Sequence, residues 1–519
     1  MANTQSDVQD SGTAVLVATI LASSMAFIDG SALNVAAPAL QADLNLNGSQ
    51  LLWVVNAYLL FLSALILLGG ALGDRYGRKR IFMIGIVVFS CASMASGLAQ
   101  SADFLILTRA LQGIGGSLMV PGSLSIITAY FPAERRGRAI GTWSTFSTIT
   151  TIGGPILGGF LASHGLWRVV FFINVPLAVI ALFTLIRHVP ESRDENAPPR
   201  LDYLGALLAT LGLAGITFGF LQAPNSSLSD PLVIGTLIGG VIALILFVLV
   251  EARSDHPMMP LNLFRSRTFS GTNALTLFLY AALGVVPFFL TLNLIQVQGY
   301  TADIAGFIFL PFTILLALLS RWSGGLIDRV GARLPLIVGP AIAAVGFGLL
   351  ALPGLTDGPS QFWTTYFPGI VVLGIGMGIT VAPLTTAVMG AAPQANSGTA
   401  SGINNAVART ASVLALAMVG ALAISVFTAN LDGRAAALNL SAQNRSALHA
   451  QANNLGAAQV PSDLSGASAS AVGQAIRLAF VDTFRLIAVI GLALGFISAI
   501  MAAILVENRP KPPDEPPER

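Results

Sequence analysis

The chain has 519 residues, of which 54% are hydrophobic and only 10% charged, with a formal net charge of +2 and a mean hydropathy of +0.78. Soluble domains carry about 25% charged residues, so a water-exposed enzyme is excluded and a polytopic membrane protein is the class that fits. Cys91 is the single cysteine, which rules out an internal disulfide, no Cys/His cluster has metal-ligand spacing, and the small net charge gives a nucleic-acid partner no support.

A helix needs about 20 mainly apolar residues to cross the hydrocarbon. In chain order such runs fall at 13–36, 51–72, 81–98, 104–126, 139–162 and 169–187, then 203–221 and 232–250, then 271–294, 304–322, 334–352, 365–388, 402–428 and 482–506, fourteen in all. Residues 1–12 carry Asp7 and Asp10 in place of the basic residues of a secretory leader, so the first run is expected to stay as a span. Between the spans, Lys and Arg collect on every second loop: Arg75, Arg78, Lys79 and Arg80; Arg135, Arg136 and Arg138; Arg187, Arg193 and Arg200; Arg253, Arg265 and Arg267; Arg321, Arg329 and Arg333; then Arg509, Lys511 and Arg519. Nineteen of the 26 basic residues thus lie on one side, which the positive-inside rule makes cytoplasmic, together with both termini.

The segments between spans divide the chain further. Residues 188–202 and 251–270 read as cytoplasmic linkers on either side of the pair 203–250. Residues 429–481, rich in Ala, Ser, Asn and Gln, read as an external insertion outside the transport machinery, helical or partly disordered. The tail 507–519 has five prolines and alternating charge and reads as disordered.

An internal repeat organises the spans. Gly70, Leu72, Asp74, Arg75, Gly77 and Lys79 recur as Gly324, Leu326, Asp328, Arg329, Gly331 and Arg333, each 254 residues later and five of the six identical. The copies follow spans two and ten, so the chain reads as two six-helix bundles, 13–187 and 271–506, with two helices inserted between them. Parallel repeats of this kind are a transporter arrangement, with the substrate site between halves and alternating access by rocking.

On these residues the chain resembles the major facilitator superfamily and, within it, the fourteen-span drug/proton antiporters. The resemblance covers nearly the whole length: Asp29, Asn34, Val35 and Pro38 in span one, Trp53 to Tyr58 in span two, the Gly70–Arg80 loop, Arg109 with Gln112, Gly113 and Gly115 in span four, and Trp167, Arg168, Asn174 and Pro176 at span six. In span five, Gly141, Gly154, Pro155, Gly158 and Gly159 match the antiporter motif, with Thr150 where a glycine is usual; Val169 replaces a frequent aromatic. The resemblance implies an all-α major facilitator fold in a bacterial cytoplasmic membrane, and export, antibiotic-resistance type, driven by protons. It also implies that the Gly70–Arg80 loop and its repeat form a latch between the halves, giving Gly70, Asp74, Arg75, Gly77, Arg78, Asp328 and Arg329 a gating role, with a plain positive-inside anchor as the alternative for Arg78, Lys79 and Arg80; Gly154, Pro155, Gly158 and Gly159 gate as a bent, small-faced helix that lets the halves pack closely.

Physical chemistry singles out Asp29, the one acid deep inside these spans, since an ionisable group in hydrocarbon costs about 2.5–3.5 kcal/mol. At 1.5 Å rise per residue it lies about 24 Å up from the cytoplasmic start of span one, and Arg109 about 8 Å down from the outer start of span four, within a core of about 30 Å. The two are therefore expected at similar depth, as a proton-coupling pair or as a fixed bridge between spans. Asn34, Asn56, Tyr58, Gln112, Phe146, Tyr280 and Asn293, with Asn404, Asn405 and Arg409 in span thirteen, are the polar and aromatic candidates for substrate binding.

A proton-coupled exporter of amphipathic, drug-like molecules is the reading these features favour. A proton-coupled importer of a sugar, anion or other nutrient is the alternative transporter, and a non-transporting sensor the alternative of another class. No phosphate-binding loop is present, so the expected coupling ion is the proton, with no cofactor and no metal, and membrane lipids as surroundings; the sequence leaves an outer-membrane partner open. His164, His188, His256 and His449 all fall in or beside loops and no nucleophile has a base, so no enzyme is expected.

Overall fold

A computed structural model describes residues 2–193, 201–224, 226–227, 229–392, 397–438 and 440–508, without the side chains of 2–11, 133, 134, 136–138, 144, 145, 148, 152, 321, 328, 397 and 398. Part of the linker, 194–200, and the tail from 509 onward lie outside the described residues, so the expectation of a disordered tail does too.

Helix accounts for almost everything described. The elements are α1 (Ala2–Asp43), α2 (Gly48–Tyr76), α3 (Arg78–Gly97), α4 (Ala102–Tyr130), α5 (Ala133–Ser163) and α6 (Val169–His188). The inserted pair is α7 (Tyr203–Gln222) and α8 (Pro231–Arg253). The rest are α9 (Arg267–Val297), α10 (Ala302–Ser320), α11 (Arg333–Leu350), α12 (Phe367–Gly390), α13 (Ser397–Ala436) and α14 (Gly466–Leu505). Thirteen of these are long and apolar enough to cross a membrane, and α5 supplies a shorter apolar run, Ile149–Ser163. The reason is general: in lipid every backbone N–H and C=O must be satisfied within its own segment, and an uninterrupted helix does this. Prolines sit inside several spans, at Pro38, Pro121, Pro155, Pro287, Pro340 and Pro383, without ending them. α8 shows the lipid-facing surface most openly, with Val241, Ile242, Ile245 and Leu249 about half exposed.

The helices gather into two compact units. One holds the chain up to Ala36, Val54–Ala214 and Gly240–Pro260; the other holds Ala37–Trp53, Gly215–Gly239 and the chain from Leu261 onward. In the first unit the core is built on Met25, Tyr58, Phe82, Ile86, Phe89 and Met119, all essentially buried. Close backbone approach places α3 on α4: a Cβ on Gly85 would lie 2.9 Å from Met119 N. The same device joins α5 to α1, where a Cβ on Gly154 would overlap Ser31 Oγ and one on Gly158 would overlap Ala32 O.

In the second unit, Gly346 of α11 abuts Leu373 of α12, and Gly495 of α14 abuts Ala344 of α11. Within 429–481, α13 runs on to Ala436, a helix covers Ala442–Ala450, a 3-10 turn covers Ala452–Ala457, and α14 begins at Gly466. Arg434 pairs with Asp482 at 2.5 Å, joining the extensions of α13 and α14. The turn packs on the α1–α2 corner, where Leu455, buried with φ 56°, touches Gly48, and Asn454 O accepts from Gln41 Nε2 at 3.4 Å.

Candidate functional site

Asp29 on α1 is fully buried, a position that water cannot reach and that no carboxylate tolerates unpaired. Its Oδ2 accepts from Arg109 Nη1 at 2.6 Å and its Oδ1 from Gln112 Nε2 at 2.8 Å, while Arg109 Nη1 also donates to Gln112 Oε1 at 2.8 Å. The result is a closed ring of three side chains, all within 1% of complete burial. Helical spacing explains half of it. Arg109 and Gln112 are three residues apart on α4 and share a face, and α4 carries that face to α1.

The guanidinium is held independently of the acid. Arg109 Nε donates to Val54 O at 3.2 Å, and the cation lies 4.5 Å from the Tyr58 ring centre and 5.7 Å from that of Phe171, distances at which an aromatic face attracts a cation. Tyr58 is in turn set edge-on to Phe89 at 6.3 Å. Below the ring, Ser23 Oγ donates to Ser123 Oγ at 2.8 Å and accepts from Trp143 Nε1 at 3.0 Å, so α1, α4 and α5 share a second polar contact.

The sequence candidates distribute unevenly around this ring. Asp29 and Arg109 meet directly. Gln112 and Tyr58, put forward as substrate groups, belong to the same cluster. Asn56 is fully buried and neither amide atom has a hydrogen-bond partner among the described residues. Asn34 is half-buried and Phe146 is exposed. In the second unit Asn404 donates to Asn273 Oδ1 at 3.2 Å and Thr276 Oγ1 at 2.8 Å, Asn405 is exposed, and Arg409 lies in electrostatic reach of half-buried Tyr280. Asn293 donates to the Tyr366 hydroxyl at 2.9 Å.

The basic loop has its own local arrangement. Asp74 pairs with Arg78 of its own turn at 2.8 Å. Gly77, at φ 112°, reverses the chain there, a conformation open to glycine. The N-terminus of α3 is instead taken by Glu191, whose carboxylate accepts from Lys79 N at 2.9 Å and Arg80 N at 3.1 Å, where the exposed amides and helix dipole favour an anion. Gly331 repeats the positive φ at 80°, Arg329 is exposed, and the side chain of Asp328 lies outside those described.

Sequence reading missed Glu191, Asn273, Trp143 and Phe171. Glu191 had a signal, an acid between His188 and Arg193 in a basic loop. Trp143, Phe171 and Asn273 had none, since each lies in an apolar span and only packing aims it inward.

Comparison with known proteins places this geometry. The family model described as Major Facilitator Superfamily matches residues 19–416. The chain is 30% identical over 505 residues to the tetracenomycin C resistance and export protein of Streptomyces glaucescens, covering 96% of this chain and 92% of that protein. It is 33% identical over 421 residues to the puromycin resistance protein of Streptomyces alboniger, covering 80% and 82%. Among solved structures, a bacterial homologue of the human lysosomal transporter Spinster superposes with a TM-score of 0.65 at 20% identity, covering 97% of this chain and 99% of that one.

Proposed function

Because the chain belongs to the major facilitator superfamily, and so is a multi-pass membrane transporter rather than an enzyme, we propose that it is a proton-coupled exporter of amphipathic, drug-like molecules. The observation that carries the reading is the buried Asp29–Arg109–Gln112 ring. Ionised, Asp29 neutralises Arg109. Protonated, it loses the charge that holds it there, while Arg109 keeps the Val54 carbonyl, Gln112 Oε1 and two aromatic faces as partners. One proton thus removes the ion pair from the α1–α4 contact while the cation keeps those neutral contacts, and a weakened contact of this kind is what a proton must produce if it is to drive rocking of two six-helix bundles, 13–187 and 271–506.

Export is supported by the span-five glycines, which bring α5 onto α1 within one turn of Asp29 at Ser31 and Ala32, and by relatives named for resistance and export. In this reading Asn34, Asn56, Phe146, Tyr280, Asn404 and Arg409 contribute to the substrate path, and both termini face the cytoplasm of a bacterial cell. Everted vesicles test it. Addition of a transported toxic amphiphile should dissipate a preformed proton gradient, and Asp29→Asn should abolish this response while inserting normally. Unimpaired uphill efflux by Asp29→Asn removes the proposed proton site, and no response across a broad panel of toxic compounds removes the export reading.

A further inference from the structure

The inserted helices bring together two acids, buried Glu251 and half-buried Asp202, unconnected to the Asp29 ring. Asp202 caps α7: its Oδ1 accepts from Gly205 N at 2.7 Å. Glu251, in the last turn of α8 and 2% exposed, accepts from Met259 N through Oε2 at 2.9 Å, so it fastens the following loop back onto the helix. Each carboxyl group therefore spends one oxygen on a backbone amide. The other two, Asp202 Oδ2 and Glu251 Oε1, are buried and have no hydrogen-bond partner among the described residues. They border one spot, since a Cβ on Gly205 would lie 2.7 Å from Asp202 Oδ2 and 3.0 Å from Glu251 Oε1, and the two carboxyl groups are within hydrogen-bonding reach of each other.

Two ionised carboxylates cannot face each other at this range away from water, because neither has a hydrogen to give and their charges repel. One proton resolves both problems: a carboxyl O–H on one residue donates to the carboxylate oxygen of the other. We propose that Asp202 and Glu251 form a proton-binding site that clamps the start of α7 to the end of α8. Among the described residues the charged and titratable groups around it are few. Arg75 of α2 lies over the Tyr76 ring, Tyr76 reaches Tyr203 beside Asp202, and Arg253, Asp255 and His256 follow Glu251 on exposed positions. None of them donates to either free oxygen. The clamp is separate from the proposed transport cycle and stands whether or not Asp29 couples protons.

The sign of its pH dependence follows from linkage. The folded pair holds a proton that the two separated carboxyl groups of the unfolded chain have already released at neutral pH, so folded stability declines as pH rises through release of the shared proton. The full-length protein in lipid nanodiscs provides the test. Thermal midpoints of the wild type should fall from mildly acidic to neutral pH and level off above it, and Glu251→Gln, which keeps the geometry and supplies a permanent N–H donor, should flatten that decline. Infrared difference spectra should show a protonated-carboxyl band at mildly acidic pH that is missing from Glu251→Gln and from Asp202→Asn. Should Glu251→Gln fail to fold, Asp202→Asn alone decides both readouts. An unchanged band in the folded variants, or a pH profile parallel to the wild type, overturns the proposal. A midpoint that rises with sodium chloride in the wild type alone, with no carboxyl band, overturns it in favour of a metal cation.

Discussion

Arg109 illustrates how one side chain can be ordinary architecture and also, in the proposed cycle, the partner that a proton on Asp29 takes out of its ion pair. With its partner removed, a buried charge loses more than the pair contributed, typically about 3–5 kcal/mol. Arg109→Ala leaves Asp29 with Gln112 as its one remaining hydrogen-bond partner in the ring, and its thermal stability in detergent is expected to drop by that order. Adding Asp29→Asn to Arg109→Ala should recover much of the loss, because no uncompensated charge then remains. A double variant no more stable than Arg109→Ala would mean that the guanidinium matters mainly for its packing against Tyr58 and Phe171. Gln112→Ala removes two ring hydrogen bonds and exposes one carboxylate oxygen to a dry environment, an expected cost of about 1–3 kcal/mol. Depth arithmetic made the Asp29–Arg109 encounter readable from sequence, because helical rise is constant. Val54, Phe171 and Gln112's role as bridge were not readable, since they depend on the rotation of α2, α4 and α6 about their axes, which an almost uniformly apolar span does not encode.

Between elements, the informative residues are the ones that lack a side chain. The glycine pattern in α5 is legible as a close-packing face, yet its glycines are not equivalent in the fold. A methyl group on Gly154 or Gly158 runs into α1 at Ser31 or Ala32, whereas a Cβ on Gly153 meets nothing within 4 Å. Gly158→Val is therefore expected to destabilise the protein by about 1–3 kcal/mol, the usual cost of overpacking, and to depress transport, while Gly153→Ala should match the wild type in both. Equal effects from the two substitutions, read by thermal unfolding and efflux together, would show that α5 acts through its own helix propensity and not through contact with α1. The basic loop shows the limit of motif reading. Its turn and positive-φ glycines follow from the letters Gly77 and Gly331, but the acid that occupies the α3 N-terminus, Glu191, comes from 112 residues beyond Lys79 in the chain. Local spacing carries no information about such a partner.

At the scale of the whole molecule, hydropathy alone located all fourteen helices, because the bilayer imposes one length and one composition on every span. Helix ends were the weak point: α13 and α14 each run to 40 residues, well past the apolar cores at 402–428 and 482–506. Their extensions are polar, so a rule built on lipid solubility stops where the helix does not, and residues 429–481 read as an insertion when much of the segment is the continuation of two spans plus the short helix Ala442–Ala450. The orientation proposed from the distribution of Lys and Arg has this segment outside and the loop after α8 inside the cell. Cys91 is the single cysteine, so Cys91→Ser supplies a background for site-directed labelling. On that background Arg445→Cys is expected to react with a membrane-impermeant maleimide in intact cells, and Arg265→Cys only after the cells are opened. Labelling of Arg265→Cys alone in intact cells would reverse the proposed orientation and with it the proposed direction of proton movement, and labelling of both would place the two segments on the same side, against the alternation of spans between them.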